Sequence, residues 1–211
     1  HKINTLVPRK YGAILSWLAA DGKDEEQTDG IAASEAIEKL SDFAVTNTPF
    51  FLAVGFFRPH TPFVAPKKYF DYYDREKIEI PELPNDYLTT IPDPAVKSIR
   101  AKNSQINLTK ERAQQIKEAY YATISFIDAQ VGRILDQLEL SGLDKNTVVV
   151  FTSDHGYHMG EHGHWQKNTL FENSTRVPLI ISVPNFKNDG STSNSPVELI
   201  DVYPTLMDLT N

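Results

Sequence analysis

The chain predicts an α/β domain built on a mostly parallel sheet with helices on both faces, on three observations. Short apolar runs of strand length alternate with longer segments of helical period. Those runs are apolar throughout rather than alternating, as in strands covered on both faces. The residues able to do chemistry gather just beyond their C-terminal ends, where open α/β sheets bind ligands. At 211 residues, 40% hydrophobic and 23% charged, residues 1–211 fit one ordinary domain.

Residues 1–30 are polar with few periodic apolar positions and predict loop. From Ala33, the positions Ala36, Ile37, Leu40, Phe43 and Ala44 recur at helical spacing, and Asn47-Thr48-Pro49 ends that helix. FFLAVGFF at 50–57 predicts a strand buried on both faces, leaving through Arg58-Pro59-His60-Thr61-Pro62. Residues 66–108 carry five prolines and no sustained period, a long irregular excursion of the kind that serves function or moves. Thr109 can cap a long helix whose stripe is Ile116, Tyr120, Ile124, Ile127, Val131, Ile134, Leu135 and Leu138, with Gly142 suited to its end. TVVVFTS then predicts a second buried strand, VPLIISVP at 177–184 a third, and 201–209 a final amphipathic helix. Three strands make a thin sheet for this length.

A net charge of −7 provides no basic footprint for a nucleic-acid backbone, although a local pocket can still hold an anion. No apolar run approaches the roughly 20 residues of a membrane helix. With no cysteine there is no disulfide, thiolate metal site or cysteine-derived nucleophile in the chain. The start has neither an initiator Met nor a signal-peptide pattern, which suggests a cut.

SDHGYHMGEHGHWQK, 153–167, holds four of the six histidines. Asp154 and His155 stand at the end of the second strand, where a carboxylate and an imidazole suit a divalent cation. Two ligands do not close a site, so others must come from elsewhere. Lys167 adds a compact positive charge for an anion, and His60 leaves the first strand toward the same rim. His158-Met159-Gly160-Glu161-His162 also fits the H-x-x-E-H string of zinc peptidases. That chemistry needs a helix, and Gly156, Gly160 and Gly163 argue against one. Taken singly, a loop histidine or a lone lysine is an ordinary solvated residue, and Trp165, Tyr72 and Tyr73 are better suited to packing than to stacking on sugar. His158, His162 and His164 are not assigned as ligands, Arg176 suits an ion pair as well as a substrate, and the sequons at 107–109 and 173–175 matter only in a eukaryotic secretory protein.

Five stretches in order, FFLAVGFFRPHTPFVAP, YYATISFIDAQVGRILDQLE, VVVFTSDHGYHMGEHGHWQKNTLFE, RVPLIISVP and ELIDVYPTLMDL, resemble the landmarks of the sulfatases. The similarity is greatest to the iduronate-2-sulfatase-like branch of the alkaline-phosphatase-like superfamily and covers about residues 28–210. The resemblance implies that Asp154 and His155 are metal ligands for calcium, that Lys167 contacts the sulfate, and that His60 lies beside the sulfate and the leaving oxygen. It further implies hydrolysis of a sulfate ester, of a sulfated carbohydrate or a small ester, by a formylglycine nucleophile. A periplasmic, extracellular or lysosomal location would follow.

The chain departs from the family pattern in one respect. The family's first strand, with its aspartate pair and its C/S-x-P-x-R nucleophile motif, has no counterpart here. The expectation is therefore a segment of a catalytic domain, inactive alone, without that strand and without the C-terminal subdomain. Two alternatives accompany it: a phosphatase or phosphodiesterase of the same superfamily, and a non-catalytic remnant that binds glycan.

Overall fold

The computed structural model describes residues 2–11, 13–186 and 190–210. The chain opens with β1 (Asn4–Thr5) and β2 (Ser16–Ala20), continues into α1 (Thr28–Thr46), and returns as β3 (Phe63–Pro66). β2 and β3 pair in parallel and β1 adds antiparallel to β2. A parallel pair needs a crossover, and α1 supplies it. The predicted loop over 1–30 is thus corrected: it contains a central strand. Ala19 and Ala20 have little intrinsic strand preference, and the pairing with β3 is what fixes their conformation.

α1 begins earlier than its apolar period and stops at Asn47, whose φ of +50° takes the left-handed conformation that ends helices. The excursion over 66–108 is less irregular than expected. It contains α2 (Lys67–Phe70) and α3 (Asp93–Arg100), and Tyr69, Phe70, Ile78 and Ile99 are buried from it.

α4 (Lys110–Leu140) starts where Thr109 predicts, the Thr109 hydroxyl accepting from Arg112 N at 3.3 Å, and Gly142 follows its end at φ +73°. Its buried face is rotated from the predicted stripe. Ala113, Ile116, Ala119, Ala122 and Phe126 face the core, while Ile124 and Leu135 are exposed. The alanines let the helix lie close to β2 and β3, where Leu15, Trp17, Phe63 and Ala65 complete the core. Each large side chain buried there stabilises by about 1.5–3 kcal/mol.

Beyond α4 come β4 (Val149–Thr152), the hairpin β5 (His158–Met159) and β6 (Trp165–Gln166), α5 (Glu172–Thr175), β7 (Leu179–Ser182) and α6 (Val202–Thr210). β4 pairs antiparallel with β7. The architecture is the mixed α/β one predicted, but the described strands form three short sheets, with parallel pairing confined to β2 and β3.

Three predicted strands differ in burial. Residues 50–57 join no sheet among the described residues, and their exposure alternates: Leu52, Val54 and Phe56 are half-buried, while Phe51 and Phe57 point outward. Phe50 stacks on Phe43 of α1 at 4.5 Å between ring centres. The apolar run of β4 predicts burial, yet Phe151 is exposed, as are Ile180 and Ile181 of β7. An apolar run predicts cover by neighbouring elements, and the described residues do not include enough of them.

Candidate active site

The histidine-rich segment is placed by its hydrophobic members. Met159 and Trp165, opposite each other in the β5–β6 hairpin, are buried in the main core. This anchors the turn between them and fixes both flanks. Asp154 and His155 precede the hairpin at the end of β4, and Lys167 follows it directly.

On the near flank, Gly156 N donates to Ser174 O at 2.8 Å. A Cβ at Gly156 would fall 2.1 Å from Asn173 O, so only glycine lets the loop lie against α5. Ser153 Oγ donates to His155 O at 3.0 Å.

Lys167 Nζ lies 2.7 Å from His155 Nε2, and His155 Nδ1 lies 2.8 Å from Gly156 O. Because a carbonyl can only accept, the Nδ1 carries the proton. The Nε2 lone pair, the one a metal would use, then accepts from the lysine. Asp154 Oδ2 stands 3.5 Å from the same nitrogen, on a largely exposed side chain. One carboxylate, one imidazole lone pair and one ammonium therefore meet at the end of β4. Asp154 and His155 have the chemistry of two ligands in an open set, and Lys167 occupies the imidazole lone pair that a metal would use. No group of three or more candidate metal ligands occurs among the described residues.

His60 stands apart. Its Nδ1 donates to Thr61 O at 2.6 Å, and no hydrogen bond or ion pair among the described residues joins it to Asp154, His155 or Lys167. Its loop is nevertheless held firmly. The buried Asp29 carboxylate accepts from Phe57 N at 2.8 Å and Arg58 N at 3.1 Å. Thr61 Oγ1 accepts from Ser16 N and donates to Ile14 O, both at 3.2 Å. Gln166 Nε2 donates to Ala13 O at 3.3 Å. The neighbours of His60 and of Lys167 are thus pinned to the same few residues at the entry to β2.

His158, His162 and His164 bond and pack within their own loop, one of the outcomes the sequence left open. His158 Nε2 bonds Thr169 Oγ1 at 2.9 Å, and His162 stacks on Phe171 at 4.0 Å. Burial, then the neighbouring His164, pushes His158 down to about 4, and burial, then Lys102, does the same to His164. The backbone over 156–164 is a hairpin with a short 3-10 turn and not an α-helix, which removes the geometry an H-x-x-E-H zinc site needs. Trp165 packs in the core, as its residue type suggested.

Sequence reasoning missed two contributors. Asp29 looks like an ordinary first-turn acid of α1, and only tertiary structure shows it holding the segment that leads to His60. Lys102 lies in the excursion, yet its ammonium reaches Gln166 Oε1 and Ala13 O.

The domain is a mixed α/β one in which Asp154, His155 and Lys167 meet at the end of β4. The sulfatase family model matches residues 8–211. The chain is 40% identical over 204 residues to a sulfatase of Formosa agariphila, covering 95% of this chain and 40% of that protein. It is 34% identical over 189 residues to human iduronate 2-sulfatase, covering 84% of this chain and 34% of that one. Among solved structures, a phosphonate monoester hydrolase from Silicibacter pomeroyi superposes with a TM-score of 0.80 at 27% identity, covering 90% of this chain and 39% of its own. The chain belongs to the sulfatase family, with the alkaline-phosphatase-like fold. It spans about 40% or less of the length of these relatives.

Proposed function

We propose that the polypeptide carrying this chain hydrolyses sulfate esters of carbohydrates, with Lys167 and His60 acting on the sulfate and Asp154 and His155 contributing to a calcium site. The observation that carries this is the contact between Lys167 and His155 beside Asp154 at the end of β4. Calcium, when bound, would offset the charge of the sulfate oxygens. Lys167 would donate to the same oxygens and stabilise the charge that builds up as the ester bond breaks. His60, with its proton fixed on Nδ1, keeps Nε2 free to exchange a proton at the leaving oxygen.

The nucleophile, a formylglycine, would come from a part of the polypeptide outside these residues, as would the remaining metal ligands. The same part would cover the apolar surface of 50–57, β4, β7 and α6. That cover is testable with a hydrophobic dye, which should bind the isolated 211-residue chain and not the longer polypeptide. A secretory, periplasmic or lysosomal compartment accords with this chemistry. The sugar-sulfate assignment draws on the relative named for iduronate sulfate.

A second reading, hydrolysis of a phosphate or phosphonate monoester, is favoured by the solved structure just described. Parallel assays of the polypeptide on p-nitrophenyl sulfate and on p-nitrophenyl phenylphosphonate separate the two. The expected result is a higher kcat/KM for the sulfate, reduced about 100-fold or more by Lys167→Met. A preference for the phosphonate would overturn the sulfatase reading.

A further inference from the structure

Next to Lys167 lies a small cleft lined by Ser98, Lys102, His164, Gln166 and Asn168, with about 40 Å³ of space inside it. That is roughly the room of three water molecules, enough for a carboxylate or a sulfate head and too little for a sugar ring. The lining of the cleft holds one lysine and no carboxylate, with Ala101 and Trp165 adding apolar surface. Lys102 follows the C-terminal end of α3, where the helix dipole favours a cation. Its ammonium has two tethers, Ala13 O at 3.3 Å and Gln166 Oε1, which leaves one of its three N–H groups unassigned. Gln166 is itself buried, donates to Ala13 O, and sits at a φ of +82°, a conformation that non-glycine residues rarely adopt.

The second wall is His164, only 6% exposed, whose Nε2 is buried without any hydrogen-bond partner. An unpaired buried ring nitrogen is costly unless a ligand or water completes it. Burial and the nearby Lys102 keep this imidazole neutral at pH 7, so it can donate one N–H without adding a charge. Among the described residues, no carboxylate lies within ion-pairing distance of Lys102 or Lys167. Burial, then the charge of Lys167, holds the Lys102 ammonium below its ordinary range. Lys102 lines the cleft and Lys167 lies close enough for its charge to be felt there, with no counter-charge between them among the described residues.

We propose that Lys102 and His164 form an accessory anion subsite beside Lys167, which selects sulfate esters bearing a second negative group, a carboxylate or another sulfate. The inference rests on Lys167 holding the scissile sulfate, and it adds a determinant of substrate choice. A second anion on the sugar would take the unassigned N–H of Lys102 and the orphaned nitrogen of His164, while a singly sulfated sugar leaves both unpaired.

The test compares three methyl glycosides of one hexose, a monosulfate, its C6 carboxylate derivative and a disulfate, with the full-length polypeptide and its Lys102→Met, Lys102→Arg and His164→Asn variants. The unaltered protein should prefer one of the doubly charged substrates, and which one it prefers identifies the second group. Lys102→Met should raise KM for that substrate about tenfold or more beyond any change it causes on the monosulfate. Lys102→Arg should recover most of the loss. His164→Asn provides the same comparison should Lys102→Met fail to fold. Equal losses on singly and doubly charged substrates, or no preference in the unaltered protein, would overturn the subsite. If no glycoside is hydrolysed, the sulfatase reading has failed, and calorimetric binding of the same three sugars decides the subsite by itself. Tighter binding of a doubly charged sugar, lost in Lys102→Met, supports the subsite, and equal binding of all three overturns it.

Discussion

Replacing Asp29 by alanine should loosen the loop that carries His60 and destabilise the whole domain. The carboxylate is 2% exposed and accepts two backbone hydrogen bonds, from Phe57 and Arg58. A hydrogen bond to a charged acceptor contributes about 1.5–3 kcal/mol, so two would give about 3–6 kcal/mol if both amides stayed dry. Phe57 is 67% exposed, and water can reach its amide once the carboxylate is gone. The expected loss is therefore nearer 2–4 kcal/mol, a large part of the 5–15 kcal/mol typical of a domain. Asn at 29 keeps one acceptor but turns an N–H toward the other amide, so its cost should fall between Asp and Ala. Urea unfolding at pH 7 measures this as a shift in midpoint with the slope unchanged. An alanine variant within 0.5 kcal/mol of the parent, or an asparagine variant as stable as aspartate, would refute the claim that this carboxylate pins the strand; the 0.5 kcal/mol bound is about the scatter of neutral surface substitutions.

Gly156→Ala should force the Asp154–His155 loop away from α5, since the added methyl meets a backbone oxygen that cannot rotate aside. A cost of about 1–3 kcal/mol is expected, with activity falling further than stability because His155 shifts away from Lys167; a fully active alanine variant would contradict the packing described. His158 and His164 give a pH signature. Both are held down to about 4 from an ordinary 6.5, mainly by burial. Their neutral forms belong to the folded state, so the unfolded chain binds more protons between those values. Stability should be full above pH 6.5 and fall toward pH 4 by about 1.4 kcal/mol per pH unit for each histidine. Urea unfolding from pH 7 to pH 4.5 checks this, and replacing both histidines by glutamine should flatten the profile. An unchanged slope in that double variant would place the acid sensitivity elsewhere.

Local physics made some parts of this molecule readable. A threonine hydroxyl before a helical period marks an N-cap wherever it occurs, and Thr109 behaves accordingly. The crowding of Asp154, His155 and Lys167 around a glycine-rich turn was visible because a hairpin brings sequence neighbours together. The partners of that site were not visible for the converse reason. Lys102 meets Gln166 across 64 positions, and Asp29 meets Phe57 across 28. Nothing in the period or composition of either segment encodes those meetings. The buried face of α4 was misjudged because bulky residues were taken to mark the core, whereas the close approach of β2 and β3 selects alanine on the inner face.

The strands were misjudged in a more instructive way. Continuous apolar runs at 50–57, β4 and β7 are the pattern of covered segments, and in the described residues these segments are not covered. Phe51 at 84% exposed and Ile180 at 59% are hard to reconcile with a finished surface. On the proposal that a longer polypeptide supplies the cover, the site and the surface become one problem. Asp154 stands at the end of β4, and its side chain is 84% exposed. Any segment that buries the apolar face of β4 would also arrive beside that carboxylate, where the proposed metal ligands and nucleophile would act. Burial of the strands and completion of the active site would then occur together, so a change that uncovers β4 should weaken metal binding even when Asp154 and His155 are untouched.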